Sequence, residues 1–223
     1  MNLSKSLEYF QPSSINGRIH IIGCGSVGST VAENLVRCGV KNITLWDMDT
    51  VEQHNIVNQM FTEQHVGKPK TEALLDLLMD INPEVKSTIE LRSDGWQGEA
   101  ISGYVFLCVD TIELRRTFVE KHMYSTAVKA VFDFRTLLES AQHYAADWTN
   151  LQQKKNLLAT MQFSHEEAME DTPVSACGVT LGVATTVRGI VALGVSNFIR
   201  FIKGQGIKKY VVLDLANFIL DAF

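Results

Sequence analysis

The sequence predicts an α/β protein with a doubly wound, mostly parallel sheet and a decorated C-terminal half that contains antiparallel strands. Apolar runs of strand length alternate with helical periods as far as Phe134, and a glycine-rich turn joins the first strand to the first helix. After Phe134 the alternation stops. The 223 residues are 46% apolar and 20% charged, which is ordinary for a globular chain and predicts a single domain over residues 1–223.

The individual elements follow from the spacing of apolar residues. Apolar runs bounded by turn residues predict strands over Arg18–Ile22, Asn42–Asp47, Val85–Leu91, Tyr104–Val109 and Ala130–Phe134. Helical spacing predicts helices over Ser29–Cys38, Lys70–Ile81 and Ile112–Thr126. Two later runs, Ser140–Trp148 and Tyr210–Leu220, predict further strands that can pair in the antiparallel direction.

Two neighbouring segments of the C-terminal half differ sharply in polarity. Residues 150–177 are polar and predict a crossover-type loop or a short helix. Gly178–Ile202 is apolar and long enough to cross a bilayer. However, Arg188 lies near its middle, where a charge in lipid is costly, and Gly189 and Gly194 suit close packing. We therefore expect a buried helix and no membrane association.

Charge and cysteine spacing exclude several other classes of protein. The formal net charge is −5 and no run of Lys or Arg exceeds two residues, so the basic face that nucleic-acid binding needs is missing. The cysteines lie at positions 24, 38, 108 and 177 without a CxxC pair. This spacing predicts no structural zinc and no disulfide framework, and it favours a cytoplasmic protein. The first 14 residues lack the apolar segment of a secretory signal.

The glycine-rich turn has the pattern GxGxxG, with Gly23, Gly25 and Gly28 between a predicted strand and a predicted helix. Glycines let the chain turn sharply and approach a phosphate, and a helix N-terminus offers free N–H groups and the positive end of the helix dipole. Asp47 ends the next strand 19 residues after Gly28, where a carboxylate can accept hydrogen bonds from ribose hydroxyls. The pattern predicts a nucleotide site without identifying the nucleotide.

Two further segments favour a triphosphate. A polar loop runs from Asp47 to Gln59 and is followed by Val66–Lys70; its amides can position phosphate oxygens and its lysines can neutralise them. Asp110 follows a buried strand at its C-terminal end, where doubly wound sheets place ligands. A lone carboxylate that faces phosphates is best explained by Mg²⁺, which binds one or two carboxylates together with phosphate oxygens. The sequence therefore predicts a nucleoside triphosphate with Mg²⁺.

Together these motifs resemble the ThiF/MoeB/HesA family, to which the ubiquitin-activating enzymes are related. The shared pattern is GxGxxG, DxDxVxxxN from Asp47 to Asn55, then Gln59, GKPK, and Asp110 with an arginine five residues later; it covers roughly Gly17–Arg135. The resemblance implies a Rossmann-like adenylating domain that binds ATP and Mg²⁺ and usually forms a homodimer. It also implies transfer of AMP to the C-terminal carboxylate of a small ubiquitin-like protein, a sulfur-carrier protein or a peptide, with release of pyrophosphate.

The same resemblance implies roles for individual residues. It assigns the phosphate loop to Gly23, Gly25 and Gly28, the ribose-binding acid to Asp47, the catalytic lysine to Lys70, the magnesium ligand to Asp110, and further ATP contacts to Asp49, Asn55, Asn58 and Gln59. Asn58 stands where the family usually has an arginine, and the candidates to replace that charge are Arg115, Arg116 and Arg135. Cys177 matches loosely a cysteine that forms a thioester or persulfide in some members; the alternative is a small buried residue at the start of a helix.

Two other functions share part of this pattern. A nicotinamide oxidoreductase also uses GxGxxG and a strand-end acid, but none of the five tyrosines is followed by lysine four residues later, so the YxxxK pair of many such enzymes is missing. A non-catalytic, activating-enzyme-like subunit that binds nucleotide or carrier protein would keep the same loop. Adenylation is the function that accounts for most of the motifs.

Overall fold

The fold is described from a computed structural model, which covers residues 1–164, 166–167 and 181–223. Within these residues the strands are β1 (Ile19–Ile22), β2 (Ile43–Trp46), β3 (Glu90–Arg92), β4 (Gly103–Leu107), β5 (Val128–Thr136), β6 (Ser140–Asp147), β7 (Tyr210–Asp214) and β8 (Ile219–Ala222). The α-helices are α1 (Ser26–Arg37), α2 (Lys70–Ile81), α3 (Ile112–His122), α4 (Leu151–Ala159) and α5 (Ala184–Ile202). Short 3₁₀ helices span Pro12–Ser14, Gln53–Val57, Glu63–His65 and Pro83–Ser87.

All eight strands form one sheet in the order β3-β2-β1-β4-β5-β6-β7-β8. β1 to β5 pair in parallel, whereas β6, β7 and β8 extend the sheet in the antiparallel direction. The chain order reverses between β1 and β4, so the carboxyl ends of these two strands form the crevice in which doubly wound sheets hold ligands. The predicted α/β class, with a parallel sheet and an antiparallel addition, is confirmed.

Helices cover both faces of the sheet. α1, α2 and α5 pack on one face, with Leu35, Leu74 and Phe198 fully buried there, and α3 and α4 cover the other. Every residue of β1 and β4 is buried. Strands that are covered on both faces carry continuous apolar runs, which is why the sequence shows them as unbroken apolar segments.

Two predicted elements differ from the structure, and the short-helix alternative is found at the beginning of a third. The predicted strand Val85–Leu91 is wrong, because Pro83 starts a 3₁₀ helix through Ser87 and only Glu90–Arg92 pairs with the sheet. The predicted strand Tyr210–Leu220 is two strands, β7 and β8, that pair with each other. The polar segment 150–177 is helical at its beginning, where the side chain of Asn150 accepts a hydrogen bond from the backbone of Gln153 and caps α4.

The apolar segment near the C-terminus contains a core helix, as predicted. In the described part of the chain, α5 is the one helix long and apolar enough to cross a membrane, with a mean hydropathy of 1.2 and half of that window buried. A Cβ atom added at Gly194 would lie 2.2 Å from the ring of Phe134 on β5. The helix therefore packs against the sheet at a distance that only glycine allows.

Candidate nucleotide-binding site

The glycine loop connects β1 to α1 and lies directly against the end of β4. Gly23 has a φ of +91°, and a Cβ atom there would lie 2.7 Å from the carbonyl oxygen of Cys108. A Cβ atom at Gly28 would lie 1.8 Å from the carbonyl oxygen of Gly23. Both positions require glycine because the backbone folds back on itself and against the neighbouring strand.

Gly25 differs from the other two glycines because its Cβ position faces space. The nearest atom to an added Cβ would be Nε2 of Gln59, at 3.9 Å. Gly25 is also the N-cap of α1, where no side chain caps the helix and no acidic residue occupies the first turn. The free N–H groups and the positive dipole end of α1 therefore point toward a gap in front of Gly25, as in anion sites at helix N-termini.

Asp47 connects the glycine loop to the polar loop that follows β2. Its Oδ2 accepts a hydrogen bond from the backbone of Cys24 at 2.6 Å, and its Oδ1 accepts one from the backbone of Asp49 at 2.9 Å. Burial raises the pKa of this carboxyl, and the two backbone hydrogen bonds oppose that shift. Because a carboxylate has about four acceptor sites, Asp47 retains capacity for ribose hydroxyls.

Lys70 begins α2 and reaches the same edge of the sheet. Its Nζ lies 2.8 Å from Oδ2 of Asp49, and its backbone N–H donates to the carbonyl of Asp49 at 2.9 Å. The Lys70 side chain is only 10% exposed, whereas that of Asp49 is 62% exposed. The Lys70 side chain is thus largely buried, whereas the Asp49 carboxylate that binds its ammonium group faces solvent.

The residues Asn55, Asn58 and Gln59 have three different environments. Asn55 is buried and its Oδ1 accepts from the backbone of Glu52 at 2.9 Å, so it shapes the loop. Asn58 donates through Nδ2 to the carbonyl of Gly182 at 3.4 Å and ties the loop to the segment before α5. Oε1 of Gln59 is buried and has no hydrogen-bond partner among the described residues. A hydrated metal–nucleotide, which brings both donors and acceptors, would satisfy that amide.

Asp110 follows β4 and is exposed, without a hydrogen bond or ion pair to any other described residue. Its loop is anchored by Arg115, which donates to the carbonyl of Val109 and to Asp133. The described residues contain no group of three His, Cys, Asp or Glu that could hold a metal by itself. One free carboxylate beside a phosphate site nevertheless fits Mg²⁺, which takes most of its ligands from water and phosphate.

The three arginines considered as replacements for a phosphate-binding cation have structural partners instead. Arg115 and Arg135 both bind the fully buried carboxylate of Asp133, and Arg135 also donates to the carbonyl of Thr160 at 2.8 Å. Arg116 donates to two carbonyl oxygens in the segment after α4, that of Met161 at 2.8 Å and that of Phe163 at 2.5 Å. The three guanidinium groups therefore bind the carboxylate of Asp133 or backbone carbonyls within the fold.

The cysteines of the described residues provide no reactive thiol. Burial raises the pKa of both Cys24 and Cys108, which disfavours the nucleophilic thiolate. Cys38 is partly buried, and its pKa is also raised by burial. Cys177 lies outside the described residues.

Sequence reasoning missed the Asp133 cluster. Asp133 stands alone inside the apolar run of β5, and a single acid in such a run is a signal for a buried cationic partner. Which cations would meet it required the fold, because Arg115 belongs to α3 and Arg135 to the end of the same strand.

The sheet order and the glycine loop together define a Rossmann-like α/β protein. The chain belongs to the ThiF family, whose family model matches residues 7–220. This membership favours the adenylation prediction over the nicotinamide oxidoreductase.

Curated relatives carry the name ubiquitin-like modifier-activating enzyme 5. The protein from Culex quinquefasciatus is 34% identical over 131 residues, which cover 52% of this chain and 32% of the relative. The protein from Arabidopsis thaliana is 45% identical over 67 residues, which cover 30% of this chain and 16% of the relative. The chain thus matches about a third or less of the length of these relatives.

Solved structures share the fold at low sequence identity. E. coli MccB with ATP matches with a TM-score of 0.74 at 17% identity, over 95% of this chain and 65% of that one. MccB with AMPCPP and MccA matches with a TM-score of 0.72 at 18% identity, over the same shares of both chains. PaaA matches with a TM-score of 0.70 at 15% identity, again over 95% and 65%.

Proposed function

We propose that this protein binds ATP with Mg²⁺ at the carboxyl edge of its sheet and adenylates the C-terminal carboxylate of a protein or peptide acceptor. The observation that carries the proposal is the set of contacts that joins four segments at that edge. Asp47 binds the backbone of the glycine loop and of Asp49, Asp49 binds Lys70, and the glycine loop touches the backbone just before Asp110. Donors, a cation and a free carboxylate therefore lie on segments that meet at one edge of the sheet.

Each of these groups matches a different part of the nucleotide. The N–H groups at the start of α1 suit the phosphates, and the remaining acceptor sites of Asp47 suit the ribose hydroxyls. Asp110 is the residue that would hold Mg²⁺, which when bound neutralises phosphate oxygens. The exposed Asp49 releases Lys70 to phosphate oxygens when ATP arrives, because phosphate offers the ammonium group a second anionic partner of higher charge.

The reaction needs no nucleophile from the protein. A carboxylate oxygen of the acceptor attacks the α-phosphorus, the new O–P bond forms, and the bond between the α-phosphorus and the bridging oxygen breaks, so that pyrophosphate leaves. Negative charge on the α-phosphoryl oxygens and on the leaving oxygen is stabilised by Lys70 and by the N–H groups of the loop. Cys177 therefore has no part in this step, whatever it does afterwards.

The acceptor class is proposed from the relatives. Enzymes named as activators of ubiquitin-like modifiers match up to about half of this chain, and structures of MccB were solved with MccA. A ubiquitin-like protein, a sulfur carrier and a peptide all present a C-terminal carboxylate, so the same site serves each of them. We also propose that the protein is a homodimer, as its resemblance to the ThiF family implies.

ATP–pyrophosphate exchange tests the proposal. The protein is incubated with ATP, Mg²⁺, labelled pyrophosphate and candidate small proteins, and label in ATP is measured. Exchange that requires an acceptor with a free C-terminal carboxylate supports adenylation, and the same acceptor with a C-terminal amide is the matched control. ATP binding without exchange for any acceptor would instead support a non-catalytic subunit, and tighter binding of NAD than of Mg-ATP would refute the proposal.

A further inference from the structure

We propose that Arg188 on α5 binds the triphosphate of ATP and is a further substrate-binding residue of this site. The proposal rests on the proposed function, because it assigns a residue to the same nucleotide. The sequence places Arg188 within an apolar helix, where a charge has no role in packing. The structure shows Arg188 on the exposed side of that helix.

The position of Arg188 relative to the glycine loop follows from a short series of contacts. Nη2 of Arg188 lies 3.9 Å from Sδ of Met60. The backbone N–H of Met60 donates to Oγ of Ser29 at 3.2 Å, and Ser29 follows Gly28 directly in α1. The guanidinium is therefore separated from the first turn of α1 by one residue, the neighbour of Gln59.

The start of α5 is fixed to the same region of the fold. Oγ1 of Thr186 donates to the carbonyl of Leu138 at 2.7 Å and is fully buried. The carbonyl of Gly182, just before the helix, accepts from Asn58 at 3.4 Å. These contacts hold the start of α5, and with it Arg188, beside the Asn55–Gln59 loop.

Arg188 also differs from the other cations near the site because it has no strong partner among the described residues. Lys70 binds Asp49 and Lys68 binds Asp76 at 2.9 Å, while the arginines of α3 and β5 bind Asp133 or backbone carbonyls. Within the described residues, the only polar contact of Arg188 is the thioether of Met60, which is a weak acceptor. An exposed guanidinium without a carboxylate can turn toward an arriving anion at little cost.

The chemistry of the Arg188 guanidinium matches that of a triphosphate. A triphosphate carries several negative charges, and one partly neutralised lysine balances them poorly. The planar guanidinium offers five donors in a geometry that matches phosphate oxygens. Arg188 thus supplies the cation that Asn58 does not provide and that the arginines bound to Asp133 cannot provide.

The test compares nucleotide binding by Arg188→Gln, Arg188→Lys and the control Arg200→Gln. Arg200 lies on the same helix, is exposed, and donates to the carbonyl of Gln205 at 3.0 Å. Isothermal titration at low salt would give dissociation constants for Mg-ATP, pyrophosphate and AMP. Arg188→Gln should weaken Mg-ATP and pyrophosphate by about tenfold and AMP by less than about twofold, Arg188→Lys should recover part of the loss, and Arg200→Gln should match the wild type. The difference should shrink as salt rises.

Three results would overturn the inference. If Arg188→Gln binds Mg-ATP as tightly as the wild type, the inference is wrong and the proposed function stands. If Arg188→Gln weakens AMP as strongly as ATP, its effect lies in the fold and not at the phosphates. If the wild-type protein binds no ATP, the proposed function and the inference fall together. Thermal unfolding of each variant identifies one that fails to fold, in which case the comparison rests on Arg188→Lys.

Discussion

A pair of alanine substitutions in the glycine loop would separate the needs of folding from those of binding. Gly28→Ala places a methyl group 1.8 Å from the carbonyl oxygen of Gly23 and 3.2 Å from Cγ2 of Ile21. Gly25→Ala places the methyl group where the only atom within 4 Å is Nε2 of Gln59, at 3.9 Å. The two variants differ from each other by the position of one carbon atom within the same turn.

The expected magnitudes follow from these distances. Ordinary contacts with carbon lie near 3.5 Å, so Gly28→Ala must move the loop by more than about 1 Å. Overpacking of this kind costs about 1–3 kcal/mol, which corresponds to roughly 2–12 °C in the melting temperature of a chain of this size. Gly25→Ala meets no such contact and should leave the melting temperature of the free protein unchanged. Its methyl group, however, fills the gap where a phosphate would approach the backbone.

Thermal unfolding with and without Mg-ATP would measure both effects. Gly25→Ala should melt like the wild type but lose most of the stabilisation that ATP gives, because that stabilisation depends on the ratio of ligand concentration to Kd. Gly28→Ala should melt earlier whether or not ATP is present. Wild-type stabilisation of Gly25→Ala by ATP would refute the placement of the phosphates beside Gly25.

Three further predictions concern single side chains. Asp110→Ala should lower the affinity for ATP in the presence of Mg²⁺ and leave metal-free binding unchanged, and titrations with and without EDTA would show this; equal losses would contradict the magnesium role. Lys70→Ala should reduce the exchange rate by about 10²–10³, as for one lost oxyanion donor, whereas Lys68→Ala, which breaks only the exposed pair with Asp76, should not. Burial lowers the pKa of His143 from 6.5 to about 4, so its stabilising effect is complete above pH 6.5 and is lost as the pH falls toward 4. Between pH 7 and pH 5 the free energy of unfolding, measured with urea, should therefore fall by about 2 kcal/mol less in His143→Gln than in the wild type. The same pH dependence in both proteins would contradict the argument.

The parts of the fold that were predicted correctly are those with local signals. α2 begins at Lys70 and ends at Ile81 as expected, because Pro69 and Asn82 border an unbroken helical period. The prediction of a strand over Val85–Leu91 was wrong because the buried residue Val85 belongs to a 3₁₀ helix and not to a strand. An apolar residue shows that a position is buried, but it does not show which backbone conformation buries it.

The residues of the candidate site could be predicted where a single segment of the chain supplies a functional side chain. Each of Asp47, Lys70 and Asp110 belongs to a motif with its own position at the sheet edge, and the structure brings these segments together. Whether each charged side chain is paired could not be predicted, because its partners come from distant segments of the chain. Asp49 holds Lys70, Asp133 holds two arginines, and Arg188 is left without a carboxylate among the described residues. Such pairings arise from tertiary contacts that no spacing rule contains.

The pairing of β1 with β4 also governs when the nucleotide gap can form during synthesis of the chain. Ile19 lies opposite Tyr104 and Ile22 opposite Leu107, so the glycine loop gains its supporting wall only after the ribosome has released the chain beyond β4. Until then β1, β2 and β3 can form only a partial sheet whose β1 edge is unpaired. Closing such a long loop costs entropy before its contacts form, so we expect this junction to form late in folding. We therefore expect the proposed nucleotide site to be incomplete in a newly made chain until β1 and β4 have paired.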